Sequence, residues 1–388
     1  MKIVAFFNSF ILSKSHFGGA DTRFREIVRR LQKRHSITCV GPASGKEFLV
    51  QSDPDIRYIT TPSISDQYSH LAAVVIDRIL RSAFGILYFR SSSYDIFISC
   101  SDSFPDVIPP FWLKRHSVRW VQPIFHITPS WRVRQGILIW NILKYLAQRF
   151  SFALIKKRAD VIIVLNQSTK QDLVKLGFTR GRIVVSSCAI NIPYIKKISA
   201  ATNGFDGIFM GRVNYSKGVL DLMPIWREVC DIIPQARLRL IGFAPLNIKK
   251  VLMAEIERYD LLENIQLMGF VDYELMIAMM KASRVFLFPS HEEGWGISIA
   301  EAMACGLPVV SWDLPVYRHV FEDCTSQVTE NNIEEFANQV ILLLQDETKR
   351  QTIGARGAKF VEKYSWDKVA RFEEEIITGR RNTFRSRP

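Results

Sequence analysis

Short runs of β-branched and aromatic residues alternate along this chain with longer stretches whose apolar residues recur every three or four positions. The first run, Lys2 to Phe7, leads to Gly18-Gly19-Ala20. Phe24, Ile27, Val28 and Leu31 then follow at helical spacing, with Arg and Lys on the opposite face. That is one βα unit. Further strands are expected at Ile37 to Val40, Ile96 to Ser99, Val118 to Gln122, Val161 to Leu165 and Ile183 to Ser186. The scheme restarts at Gly207 to Met210 and continues at Arg237 to Ile241, Ile265 to Met268, Val285 to Pro289 and Pro308 to Ser311. Strands alternating with helices predict parallel sheets covered by helices, an α/β class. Asn191 to Asp206 separates the two series; it has no clear periodicity and contains Pro193 and Asn203-Gly204. A first domain over 1–203 and a second over 204–365 follow. Val369, Phe372, Ile376 and Ile377 share one face of a last helix beginning near Trp366.

Gln135 to Arg158 is long, apolar and aromatic, yet Lys144, Gln148 and Arg149 interrupt it, which excludes a spanning helix. Two readings stay open: a helix packed on the first sheet, or a membrane-surface element carrying Trp131, Trp140 and flanking Arg and Lys.

Composition adds compartment and charge. The chain has 388 residues, 48% of them hydrophobic, enough for two cores and too many for a disordered chain. Its charge is uneven: residues 1–203 hold 29 Lys and Arg against 12 Asp and Glu, whereas 204–388 hold 22 against 26. The first half is therefore expected to meet something anionic, such as phosphate-bearing lipid or a membrane surface. Nucleic acid is not expected, because zinc-finger spacing, a basic zipper and RNP-type aromatics are all missing. Six cysteines without a CxxC fit a reducing cytosol, with attachment to the inner face of the membrane as an option. Ile3 to Leu12, broken by Asn8 and Ser9, is read as a strand and glycine loop rather than as an export signal. Asp53-Pro54-Asp55 has the form of a metal-binding DxD, but proline between two aspartates is turn chemistry, and it is read as a turn.

Candidate chemistry concentrates in two segments. Pro289-Ser290-His291-Glu292-Glu293-Gly294-Trp295-Gly296-Ile297 follows a strand and enters a helix. The free N–H groups of Gly296, Ile297 and Ser298 at the helix start attract a phosphate or sugar oxygen. Glu293 in the loop and Glu301 in the helix can accept hydrogen bonds from hydroxyls at different parts of one elongated ligand. An acidic helix start complementing the dipole is the competing explanation. Met210-Gly211-Arg212-Val213-Asn214-Tyr215-Ser216-Lys217-Gly218 places two cations in a glycine-bordered loop, suited to the negative charge of a leaving diphosphate.

With Glu293 and Glu301 separated by seven residues, Gly211-Arg212 and Lys217-Gly218 upstream, and Glu301-Ala302-Met303-Ala304-Cys305-Gly306-Leu307-Pro308 downstream, the chain resembles retaining glycosyltransferases of family 4 over nearly its whole length. The resemblance implies the GT-B fold, two Rossmann-like domains facing each other across a cleft, with the last helix crossing back to the first domain. It implies a nucleotide diphosphate sugar held mostly by the second domain. Arg212 and Lys217 would hold the diphosphate, Glu293 the donor-sugar hydroxyls and Glu301 the ribose. The amides of Gly296 and Ile297 would take sugar or phosphate, the Gly269 to Val271 loop the base, and Gly19 would approach the phosphate from the first domain. His126, after a first-domain strand, would hydrogen-bond the transferred sugar or help move a proton. Retention by front-face attack needs no protein nucleophile, and no metal or other cofactor is expected. Two positions depart from the family pattern: Ser187-Cys188-Ala189-Ile190-Asn191 stands where an Asn-Gly turn is common, and Trp295 replaces a commoner Phe.

The acceptor is expected to be a glycan or a lipid-linked sugar, weakly indicated by the basic and aromatic stretch Phe111 to Arg158 and by four arginines in Arg380 to Pro388. Sugar-nucleotide epimerisation, phosphorolysis and a non-catalytic binding or scaffold role remain alternatives.

Overall fold

A computed structural model describes residues 1–9, 18–50, 55–63, 71–132, 134 and 137–380. The chain divides into two units, residues 1–188 with 366–388, and residues 189–365. Each is built on a parallel sheet.

In the first unit the strands are β1 (Lys2–Phe6), β2 (Ser36–Gly41), β3 (Arg57–Thr60), β4 (Ile96–Ser99), β5 (Arg119–Pro123), β6 (Val161–Val164) and β7 (Ile183–Val185), ordered β3-β2-β1-β4-β5-β6-β7. Helices fill the crossovers, so central strands are covered on both faces and read as unbroken apolar runs. Val4, Phe6, Trp120, Phe152 and Ile162 meet in one cluster. Each such side chain contributes about 1.5–3 kcal/mol by leaving water.

The helix Trp366–Ile377 belongs to this unit and lies on the helix Gly19–Leu31. Polar contacts fix the pairing. Arg23 and Glu373 form a buried ion pair, to which Ser186 also donates. Arg34 and His35 meet Glu374 at 2.8 and 3.0 Å, and Arg30 meets Asp367 at 2.6 Å.

The second unit has β8 (Phe205–Met210), β9 (Leu238–Ile241), β10 (Ile265–Gly269), β11 (Ser283–Phe288), β12 (Val309–Trp312) and β13 (Ser326–Val328), ordered β10-β9-β8-β11-β12-β13. Sequence periodicity misses β3 and β13. Both are short edge strands with one neighbour, and neither needs an apolar run.

The division between units also falls earlier than residue 203. Ile192–Lys197 is helical, and the segment after it is tied to the helix Tyr273–Lys281: Ala201 N–H donates to Ala278 O at 2.9 Å and Lys281 Nζ to Ile198 O at 2.5 Å. The aperiodic stretch therefore opens the second unit instead of closing the first. Of the DxD-like triplet, Asp53 and Pro54 lie outside the described residues, as do residues 10–12 of the first apolar run; Asp55 is an exposed turn residue before β3.

Candidate active site

In the second sheet the chain starts at β8, moves outward through β9 and β10, then returns to place β11 on the other side of β8. Loops leaving the carboxyl ends of such a neighbouring pair diverge, which makes this the ligand-binding position of open α/β sheets. The loops are Gly211 to Gly218 and Pro289 to Gly296, the two segments singled out by their chemistry. They are locked together. Asn214 caps the turn Tyr215–Lys217 by accepting from Lys217 N–H at 3.2 Å, and His291 N–H donates to Ser216 O at 3.0 Å. Gly218, at φ +62°, sits where a Cβ would lie 1.7 Å from Pro289 O, so only glycine allows this approach.

The lock sets the charges. Lys217 Nζ forms an ion pair with Glu293 and donates to Glu292 O at 3.1 Å, over the face of Phe288. Arg212 is exposed, and its side chain has no hydrogen bond or ion pair with the described residues. Gly296, at φ +102°, caps the helix Ile297–Ala304, leaving the amides of its first turn at the loop. Trp295 is buried edge-on against Phe321 and Tyr364, with ring centroids at 5.6 and 4.9 Å, so this larger aromatic is a packing residue. Glu301 is buried in the next turn of the helix and hydrogen-bonded by Tyr273; burial pushes its carboxyl up to about 7 while that bond pulls it down. Gly269 ends β10, its carbonyl accepting from Gly242 N–H at 2.9 Å, and Val271 follows half-buried.

One group escaped the sequence reading. His291 Nε2 meets Asp221 at 2.8 Å and His291 Nδ1 meets Glu330 at 2.5 Å. Asp221 also accepts from Trp312 Nε1 at 3.2 Å. Burial works against charge on the imidazole, but the hydrogen bonds from both ring nitrogens to carboxylates outweigh it and hold the pKa at about 9. His291 is thus an imidazolium that staples the Glu293 loop to the helix and strand behind it. Its partners are far apart in sequence, and Asp221 alone carries no motif.

The first sheet has its own reversal between β1 and β4. Here Ser9 N–H and Oγ and Ser101 Oγ all donate to Asp106, at 3.1, 2.5 and 2.8 Å. Burial pushes Asp106 up to about 6, and these hydrogen bonds hold it down. Gly19 is exposed at the start of its helix, and Gly18 N–H is already taken by Asp21 at 2.8 Å. His126 is exposed after β5. Behind it stands half-buried Asp102, its carboxyl raised by desolvation and lowered by the His126 charge. Gln148 ties the two, donating to Asp102 Oδ2 at 2.7 Å and to His126 O at 3.1 Å.

Two parallel α/β units, the second carrying cation–carboxylate loops at its strand reversal, define the GT-B class of transferase. The description "Glycosyltransferase Family 4" matches residues 17–193 and "Glycosyl transferases group 1" matches residues 193–360, so together they account for all but the two ends. The chain belongs to the group 1, family 4 glycosyltransferases and is a hexosyltransferase. It is similar to the O-antigen chain mannosyltransferase B of Escherichia coli, 23% identical over 88% of this chain and 91% of that one. Over a shorter stretch, 42% of this chain and 43% of the relative, it is 34% identical to a phosphatidyl-myo-inositol mannosyltransferase of Mycobacterium leprae. Among solved structures, Anabaena HepE in complex with UDP and glucose shares the fold with a TM-score of 0.76, at 18% identity over 98% of this chain and all of that one.

Proposed function

We propose that this chain moves a hexosyl group, with retained anomeric configuration, from a nucleoside diphosphate donor to a glycan or lipid-linked acceptor, without a metal. The observation carrying this reading is the pairing of Lys217 with Glu293 at the β8/β11 reversal, with Arg212, which has no partner among the described residues, in the same loop as Lys217. Lys217 and Arg212 bind the diphosphate and stabilise the charge that grows on it as the C1–O bond breaks. Glu293 and the helix-start amides orient the donor sugar, Glu301 takes the ribose and the Gly269 to Val271 turn the base. The acceptor hydroxyl attacks from the face the diphosphate leaves, and its proton passes to that phosphate. His126, held by Gln148 and facing Asp102, hydrogen-bonds the transferred sugar. Because both relatives are named mannosyltransferases, a mannosyl donor is the first to test, with HepE's UDP and glucose supporting a nucleotide-sugar site in general.

The test is product analysis with purified protein and a donor panel. Nucleoside diphosphate released in step with a glycosylated acceptor of unchanged anomeric configuration is the expected result. Donor conversion without acceptor would make the chain an epimerase, and an inverted product would overturn retention.

A further inference from the structure

Two helices of the first unit bury polar side chains and expose apolar ones over much of their length, although Phe89, Phe152 and Ile155 still enter the core. The helix Leu71–Phe89 buries the ion pair Asp77–Arg81, each side chain 1% exposed, together with Ser82. Arg81 is satisfied there, donating to Asn8 O at 3.0 Å and Ser63 Oγ at 2.7 Å. Outside, Ile76, Ile79, Leu80 and Leu87 are 40% to 61% exposed. The helix Leu138–Arg158 repeats the arrangement: Asn141, Gln148 and Ser151 are buried, while Ile139, Leu143, Leu146 and Phe150 are exposed. These four recur at i, i+4, i+7 and i+11, one stripe of a helix. Between the two, and packed on both, the helix Phe104–Leu113 adds Trp112, 66% exposed. Single exposed apolar residues are ordinary, but contiguous ones on adjoining helices mark a surface made to be covered.

Charge selects the cover. The only acids on the three helices, Asp77 and Asp106, are buried, whereas Arg132, Lys144, Lys156 and Lys157 are exposed on or next to the third. A second copy of this chain would bring like charges together. An anionic surface over hydrocarbon answers both the apolar stripes and the basic flank. No described helix is long and apolar enough to cross a membrane, so contact through this face is peripheral.

We propose that the outer faces of Leu71–Phe89, Phe104–Leu113 and Leu138–Arg158 form one docking surface for an anionic lipid bilayer, with the Leu138–Arg158 stripe turned toward the acyl chains. This goes beyond the donor chemistry and stands on the first unit alone.

The full chain is tested by flotation with phosphatidylcholine vesicles and with mixed phosphatidylglycerol–phosphatidylcholine vesicles. The wild type floats with the anionic vesicles and is progressively released as salt rises. Ile139→Glu/Leu143→Glu and, separately, Ile79→Glu/Leu87→Glu each lower the bound fraction about tenfold or more, since two apolar insertions are lost. The replaced side chains are exposed, so circular dichroism and thermal unfolding stay those of the wild type. Undiminished flotation of both variants overturns the proposal. So does a dimer, seen by light scattering and broken by the same substitutions, in a protein that ignores vesicles. The assay reads no turnover, so its failure is separate from failure of the transferase reading.

Discussion

The two strand reversals share a topology and differ in what fills them. Between β1 and β4, three donors from Ser9 and Ser101 converge on Asp106, and Arg78 feels the charge of that carboxyl. Between β8 and β11, Lys217 pairs with Glu293 and His291 pairs with both Asp221 and Glu330, and Arg212 stands in the same loop as Lys217. The first unit has the greater excess of cations, yet it directs them to its own helix packing and outer face. On the proposed reading, the more basic domain is thus not the one that handles the diphosphate. What matters is whether the cations stand in loops at the sheet's reversal.

Substitutions sharpen that contrast. The largest effect is expected in the first unit, where Glu373→Ala strands Arg23 as a buried unpaired charge and costs about 3–5 kcal/mol in urea unfolding. Wild-type stability in this variant would mean that the ion pair does not hold the last helix. Next, Lys217→Ala lowers kcat by about 10²–10³ with the fold intact, as loss of one oriented donor to transition-state charge does. Unchanged turnover in both Lys217→Ala and Arg212→Ala would remove the second reversal from the chemistry. At the first unit, His126→Ala reduces kcat by up to about 10². Asp102→Asn reduces it less and shifts the pH profile, a change that a purely structural Asp102 would not produce.

The smallest effect is a slope. The pKa of His291 is raised above its ordinary value, so its contribution to stability is complete below about 6.5 and disappears as pH rises through about 9. Thermal unfolding of the wild type relative to His291→Gln should therefore converge between those values. A constant difference across that window would contradict the imidazolium staple.

Most of the fold was legible because central strands of parallel sheets must be apolar on both faces, as Ile96–Ser99 and Val285 to Phe288 are. The edge strands Arg57–Thr60 and Ser326–Val328 carry no such requirement and left no pattern. In the site, Arg212, Lys217, Glu293 and Glu301 were visible because glycines and strand ends bracket them. His291 was hidden in plain view: its neighbours drew attention, but its charge depends on Asp221 and Glu330, which only the fold brings to it. Asp102 and Gln148 behind His126 were invisible for the same reason. The helices with exposed apolar faces were half legible, since periodicity locates an apolar stripe without saying which way it faces.

The proposed donor site at the second reversal is tested by a thermal-shift panel of UDP-, GDP- and ADP-sugars against wild type and Arg212→Ala. A ligand at a hundred times its Kd stabilises by about 2.7 kcal/mol. Arg212 is exposed and unpartnered among the described residues, so its removal alters the ligand site and not the fold. One nucleotide's sugars are expected to raise the wild-type Tm and leave Arg212→Ala unmoved. No shift with any donor, or the same shift in both proteins, would contradict it.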